Sequence, residues 1–277
     1  MIDLSRFDTR NHFPSADFFV RKNTLQIDRQ SLAHVAKILR VFSKFPYENL
    51  SKILRLNERW DDSPHRFPVD IIDDYDRFRF GGTCFSLTYF LKTILDYFDY
   101  DTSVVMMDMK AGKNSHCALT LKFDSREFLL DPGYLLYQPL EIDSANPALP
   151  FDPVTDTYSL WTTEGARLKW RYSFQKKSTE LMDFVSFWND SFHWKSMSGI
   201  CLSKRDENGF LYIHNHYMQQ IIGDTRHKCN FKEEIGVLAE RYFGVSPEIV
   251  RHAEIALTEN IIREKELNPK ITDSIKR

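Results

Sequence analysis

Leu87, Phe90, Leu91, Ile94, Leu95 and Phe98 fall at i, i+3, i+4, i+7, i+8 and i+11, the apolar stripe of a helix. Leu32, Val35, Ala36, Leu39 and Phe42 give a second such stripe, in a helix that Asp28 is placed to cap and that runs to about Ser43. Pro46-Tyr47-Glu48-Asn49-Leu50 breaks that helix, and the polar, proline-containing stretch 51–78 leaves room for a short helix over 69–77. Residues 1–27, with Phe7, Phe13, Phe18 and Phe19, read as turns and short helices.

After Tyr100 the period falls to two. Thr102 to Met107 reads as a strand, Lys110 to Ser115 as a loop, and His116–Phe123 and Glu127–Asp131 as two strands joined by the turn Asp124-Ser125. Pro132-Gly133 ends the second. Further strands are expected at 158–161 and 167–174, and a helix from Thr179 to Trp188. Ser198–Ser203 and Gly209–Ile213 form a hairpin around Asp206-Glu207-Asn208. Asn230 and Glu233 make a capping box for a helix to Phe243, stopped by Gly244, and Ser246-Pro247 starts a last helix to about Leu267. The charged tail Lys265–Arg277 is expected to fray. The class is α+β in three parts: 1–100 helical, 101–200 strand-rich, 201–277 mixed.

Charge narrows the partners. The 277 residues hold 37 Lys and Arg against 39 Asp and Glu, a balance that gives no support for a nucleic-acid or acidic-membrane partner. No apolar run approaches the roughly 20 residues that span a bilayer, and the first residues lack an apolar signal segment. Cys84, Cys117, Cys201 and Cys229 form no C-x-x-C pair, which fits free thiols in a reducing cytoplasm. His214 and His216 share a strand face, with His227 and Cys229 following, but the spacing is not that of a zinc site, so no metal is expected. Trp188, His193 and Trp194 read as packing residues.

The candidate chemistry lies at Arg79-Phe80-Gly81-Gly82-Thr83-Cys84-Phe85. Cys84 opens a helix, where unpaired N–H groups and the helix dipole favour thiolate over thiol. Gly81 and Gly82 allow a tight turn and close approach to the backbone. A catalytic cysteine needs a base, and the base needs an orienting partner. With Asp124-Ser125 as a two-residue turn, Asp131 stands opposite Ala118, and His116 shares its face and lies diagonal to it. A three-residue loop would separate them. Cys117, alternating with His116, points the other way into the core.

Four segments in order, Pro46-Tyr47-Glu48-Asn49-Leu50, Arg79-Phe80-Gly81-Gly82-Thr83-Cys84-Phe85, Ser115-His116 and Leu129-Leu130-Asp131-Pro132-Gly133-Tyr134, resemble those of the arylamine N-acetyltransferases. That family carries P-F-E-N-L, R-G-G-x-C-F, T-H and D-V-G-F segments. The resemblance is close over the first half of the chain and holds in outline over the second. It implies an N-terminal helical bundle, a central antiparallel β-barrel and a C-terminal α/β lid, with a papain-like Cys-His-Asp arrangement.

It further implies that Cys84 is the acyl-accepting nucleophile, His116 its base and Asp131 the carboxylate that fixes the imidazole. Acetyl-CoA would be a co-substrate rather than a bound cofactor. The acetyl group would pass through Cys84 to a small amine or hydrazine in a ping-pong reaction, with backbone N–H groups near Cys84 as the oxyanion hole. Tyr134 and Phe85 would contact the substrate, and Lys110, Gly112 and Lys113 the CoA phosphates. Glu48, Arg79, Gly81 and Gly82 would support the nucleophile.

The chain also departs from the family. Phe80 stands where the family has the arginine that pairs with the glutamate of P-F-E-N. Glu48 therefore either lacks a partner or is reached by Arg79 along another path. Two other readings compete: a transglutaminase- or papain-like thiol enzyme, which uses the same Cys, His, Asp order, and a non-catalytic CoA- or protein-binding homologue.

Overall fold

The computed structural model describes residues 3–27, 29–60, 63–164, 167–193, 198–206, 209–223 and 225–267. Proline in the first turn starts α1 (Phe13–Lys22), where a missing N–H costs nothing. The stripe at Leu32 becomes α2 (Leu32–Phe42), capped by Ser31, whose side chain accepts from the His34 N–H; Asp28, the expected cap, lies outside the described residues. Tyr47–Glu48 is a short strand, β1, followed by α3 (Leu50–Glu58). α3 was not expected in the polar stretch, yet Leu50, Ile53 and Leu56 form its buried face. α4 (Pro68–Phe78) realises the short helix, and α5 (Cys84–Tyr97) is the helix of the nucleophile segment. Its residues are buried on nearly every side, so α5 is a central helix rather than a surface one.

β2 (Asp101–Met109) and β3 (Gly112–Phe123) are longer than expected. The predicted loop 110–115 shrinks to Lys110-Ala111, because β3 projects past the core, where apolar alternation is no longer needed. β4 (Arg126–Leu130) follows the expected two-residue turn. Phe123 faces Arg126, and Asp124 and Ser125 both take left-handed φ values of 49° and 61°. β5 (Leu140–Glu141), β6 (Phe151–Asp152), β7 (Thr157–Glu164) and β8 (Arg167–Phe174) complete a seven-stranded antiparallel sheet in the order β5-β4-β3-β2-β8-β7-β6. β5 and β6 are its free edges. The sheet is therefore open, and the expected closed β-barrel is corrected: both edge strands are only two residues long and do not meet.

α6 (Leu181–Asp190) leads to a second sheet of β9 (Cys201–Asp206), β10 (Gly209–His214), β11 (Tyr217–Ile222) and β12 (Thr225–Asn230). The expected hairpin is thus the first half of a four-stranded meander; Glu207 and Asn208 of its turn lie outside the described residues. β11 and β12 escaped notice because β12 is polar and largely exposed, and β11 interrupts its apolar residues with Gln219-Gln220 and buries only Gln219. His214 ends β10 and pairs with Tyr217, so Asn215-His216 is a turn and the two histidines do not share a strand face. Asn230 closes β12 and caps nothing; Glu234 is the N-cap of α7 (Ile235–Phe243), and Gly244 ends it as expected. α8 (Pro247–Leu267) packs along α3, with Asn260 Nδ2 donating to Ile53 O at 3.0 Å. Trp194 and residues 268–277 lie outside the described residues. No helix among the described residues is long and apolar enough to cross a membrane.

Candidate active site

β1 joins the parts around Cys84. Tyr47 and Glu48 pair with Ser203 and Leu202 of β9, which adds β1 to the edge of the second sheet. On its other side β1 bridges Gly82: the Glu48 N–H donates to Gly82 O at 3.0 Å, and the Gly82 N–H to Pro46 O at 3.2 Å. A Cβ on Gly81 would lie 1.9 Å from Pro46 O, so this crossing admits only glycine. The two glycines thus serve a close approach of protein backbone. Thr83 is the N-cap of α5, and Cys84 is its first helical residue. Asn49 ties the same segment to β9, with Nδ2 donating to Gly199 O at 2.7 Å and Oδ1 accepting from the Cys201 N–H at 2.8 Å.

The β3–β4 register brings His116 and Asp131 together as the turn length requires. His116 Nε2 lies 2.9 Å from Asp131 Oδ2, leaving Nδ1 for the Cys84 side of the ring. Asp131 is fully buried and accepts three hydrogen bonds: from His116, from Tyr172 OH to Oδ2 at 2.7 Å, and from the Tyr134 N–H to Oδ1 at 2.9 Å. Gly133 fills the space between the Cys84 and His116 side chains. A Cβ there would lie 2.8 Å from both Cys84 Cβ and His116 Cε1.

Cys84, His116 and Asp131 behave as one electrostatic unit. Burial pushes the imidazole toward neutrality, but the Asp131 charge and hydrogen bond, with the Cys84 sulfur, outweigh it and raise His116 to about 10. A hydrogen bond with Cys117 is the largest influence on Cys84. Burial opposes it, the bond and charge of His116 assist it, and the thiol ends well below its ordinary value. Both shifts run in the direction of a buried thiolate–imidazolium pair.

Glu48 has a partner the sequence did not reveal. Arg79 is not that partner: it is the left-handed C-cap of α4, exposed, with its guanidinium over the Tyr75 ring at 5.6 Å. Its expected supporting role at Glu48 is corrected. Arg66 stands there instead, with Nη1 3.7 Å from Glu48 Oε1. The same nitrogen donates to Ser51 Oγ at 2.7 Å and to Gly81 O at 2.8 Å, and Ser51 Oγ donates to Glu48 Oε1 at 2.6 Å. Phe80 faces a different core, with Leu50, Ile53 and Phe243.

The other predicted site residues divide. Tyr134 sits at the site, its ring edge-on to His116 at 5.9 Å. Phe85 has no exposed surface and packs against Phe184 and Trp188, so its expected substrate contact is corrected: the second residue of α5 points into the helical core. Lys110 and Lys113 are exposed at the β2–β3 tip, with Gly112 between them, three to six residues along the chain from His116. Trp188 is a core residue, as expected.

Lys52 on α3 is a further group that sequence reasoning missed. It is buried, donates to Ser191 O at 2.8 Å and Ser191 Oγ at 2.7 Å, and lines a small cavity with Arg66, Ser86, Trp188 and Phe192. Burial pushes it down to about 7. Below that pH the folded protein carries the full cost of a buried ammonium. As pH rises from about 7 toward the unfolded value of 10.5, the folded state sheds the proton first and the cost is relieved. Relative to Lys52→Met, the wild type should therefore gain about 2 kcal/mol in denaturant stability between pH 7 and pH 9. Parallel pH profiles for the two proteins would refute this.

Comparison with solved structures places the architecture. The chain is similar to an arylamine N-acetyltransferase from Salmonella typhimurium, with a TM-score of 0.70, 14% identity, and coverage of 87% of this chain and 98% of that one. The enzyme from M. tuberculosis gives 0.66 and 16%, covering 82% and 93%. An arylamine N-acetyltransferase from Bacillus cereus, whose triad is described as Cys-His-Glu, gives 0.59 and 14%, covering 89% and 100%. No family profile and no curated protein matches by sequence. At these identities the likeness is one of fold.

Proposed function

We propose that the protein is an acyltransferase that moves an acetyl group from acetyl-CoA, through a thioester on Cys84, to the nitrogen of an arylamine, hydrazine or related acceptor. The observation that carries this reading is the Cys84, His116, Asp131 constellation at the start of α5, inside the fold of arylamine N-acetyltransferases. In the first half-reaction the Cys84 thiolate attacks the thioester carbonyl and CoA leaves as a thiol, protonated from His116. In the second the acceptor nitrogen attacks the Cys84 thioester and gives its proton to His116. Asp131 holds the imidazole throughout, with Nε2–H toward its carboxylate. Here the third member is aspartate, where the Bacillus cereus enzyme is described with glutamate.

Tyr134 beside His116 is the acceptor contact in this reading, and Lys110, Gly112 and Lys113 at the β2–β3 tip receive the CoA phosphates. The division into 1–100, 101–200 and 201–277 belongs to the same proposal, as does a cytoplasmic setting, where a nucleophilic thiol stays reduced. Incubation with acetyl-CoA should add one acetyl group, mapped by mass spectrometry to Cys84 and discharged by an arylamine. Cys84→Ala should take up none. Absence of any adduct on the wild type across several acyl-CoAs would overturn the reading.

A further inference from the structure

α5 rests on the face of the seven-stranded sheet that carries Cys117. Cys117, Leu119 and Leu121 belong to the apolar cluster of α5, whereas Ala118 belongs to the cluster on the opposite face. Thr88 stands one helical turn after Cys84, on the same side of α5, and its Oγ1 donates to Cys117 O at 3.2 Å. That bond seats the first turn of the helix on Cys117, where the Cys84 and Cys117 side chains interact. Cys117 does point away from His116 as alternation requires, but it points at the nucleophile. Cys84 is 6% exposed and Cys117 fully buried, so of the two only Cys84 presents surface to a reagent. Cys201 and Cys229 lie on β9 and β12 of the other sheet.

We propose that Cys84 and Cys117 form a reversible disulfide when the protein meets hydrogen peroxide, with Cys117 as the resolving thiol. The Cys84 thiolate attacks a peroxide oxygen: an S–O bond forms, the O–O bond breaks, and the departing hydroxide takes the His116 proton and leaves as water. The Cys117 thiol then attacks the Cys84 sulfur: the S–S bond forms, the S–O bond breaks, and the departing hydroxide takes the Cys117 proton and leaves as water. Two thiols supply two electrons, and one peroxide becomes two waters. A thiolate active enough for acyl transfer is also open to irreversible over-oxidation, and a resolving thiol in contact with it diverts the sulfenic acid to a form that thiols restore.

The test needs no acyl substrate, so its failure leaves the acyl-transfer reading untouched. The full chain is treated with a small excess of hydrogen peroxide at neutral pH, alkylated under denaturing conditions, and mapped without reduction. The Cys84 and Cys117 peptides should leave as one cross-linked species, lighter by two hydrogens and separated by dithiothreitol, while Cys229 is alkylated. In Cys117→Ser the Cys84 sulfenic acid should persist, with dimedone labelling up about tenfold, and should pass with further peroxide to a sulfinic acid that dithiothreitol does not reverse. Oxidised wild type carrying oxygen on Cys84, with Cys117 still free to alkylate, would overturn the proposal. That map decides even if the variant does not fold.

Discussion

Asp131→Asn should lower the rate of Cys84 acylation by about 10³ to 10⁴-fold while leaving the fold in place. The carboxylate serves three donors at once: His116 Nε2, Tyr172 OH and the Tyr134 N–H. An amide cannot. With its oxygen toward the Tyr134 N–H, its NH₂ faces Nε2 and forces the imidazole proton onto Nδ1, the nitrogen that faces Cys84. Turned the other way, its NH₂ meets the Tyr134 N–H, donor against donor. In both arrangements the negative charge that holds His116 at about 10 is gone. The imidazole becomes neutral near pH 7, and Cys84 loses the cation that favours its thiolate. A second readout separates this from a mere loss of fit. Wild-type Cys84 should alkylate with iodoacetamide at a rate that varies little between pH 6 and pH 9. The Asp131→Asn rate should climb steeply over that range, as for an ordinary thiol. A flat profile in the variant would show that Asp131 does not govern the pair.

The alignment of His116 with Asp131 was legible because it depends on local facts. A two-residue turn and a period of two decide which side chains share a face, and Asp124-Ser125 supplies the turn. The nucleophile helix was legible for the same reason. What escaped depends on contacts between distant segments. Tyr172 reaches Asp131 only because β8 pairs with β2, and no pattern within 167–174 announces that pairing. α3 was hidden by the preceding proline and by its charged face, although Leu50, Ile53 and Leu56 carry the helical period. Asn230 and Glu233 satisfy the capping-box pattern, but Asn230 is held by its ladder with Tyr217. Cys117 was placed on the right face of β3. What covers that face is a tertiary fact, and it turned a core thiol into a neighbour of Cys84.

Arg66 is the sharpest case of such a distant contact, and its removal should be the most destabilising change near the site. Glu48 is fully buried and Arg66 is 4% exposed. Burial pushes the Glu48 carboxyl up, while the Arg66 charge and then the Ser51 hydrogen bonds pull it back. Arg66→Met removes the only guanidinium in that balance and leaves a buried carboxylate with Ser51 alone, a change that costs about 3–5 kcal/mol. It also frees Gly81 O, to which Arg66 donates at 2.8 Å, and so loosens the turn that delivers Cys84. Acylation should slow more than the stability loss alone accounts for. The sign of the pH dependence is fixed. Without Arg66 the Glu48 carboxyl rises further, the folded state holds a proton that the unfolded state has lost, and stability falls as pH rises through that range. The deficit of the variant should therefore be smaller at pH 5 than at pH 8. Adding Glu48→Gln removes the stranded charge and should restore about 1–3 kcal/mol, a coupling that two independent sites would not show. Arg66→Lys should not substitute, because one ammonium cannot serve Ser51 Oγ, Gly81 O and Asp74 Oδ2 together as the guanidinium fork does. Urea denaturation of the wild type, Arg66→Met, Glu48→Gln and the double variant at both pH values decides it: purely additive losses, or a deficit that shrinks as pH rises, would mean that Arg66 does not hold Glu48.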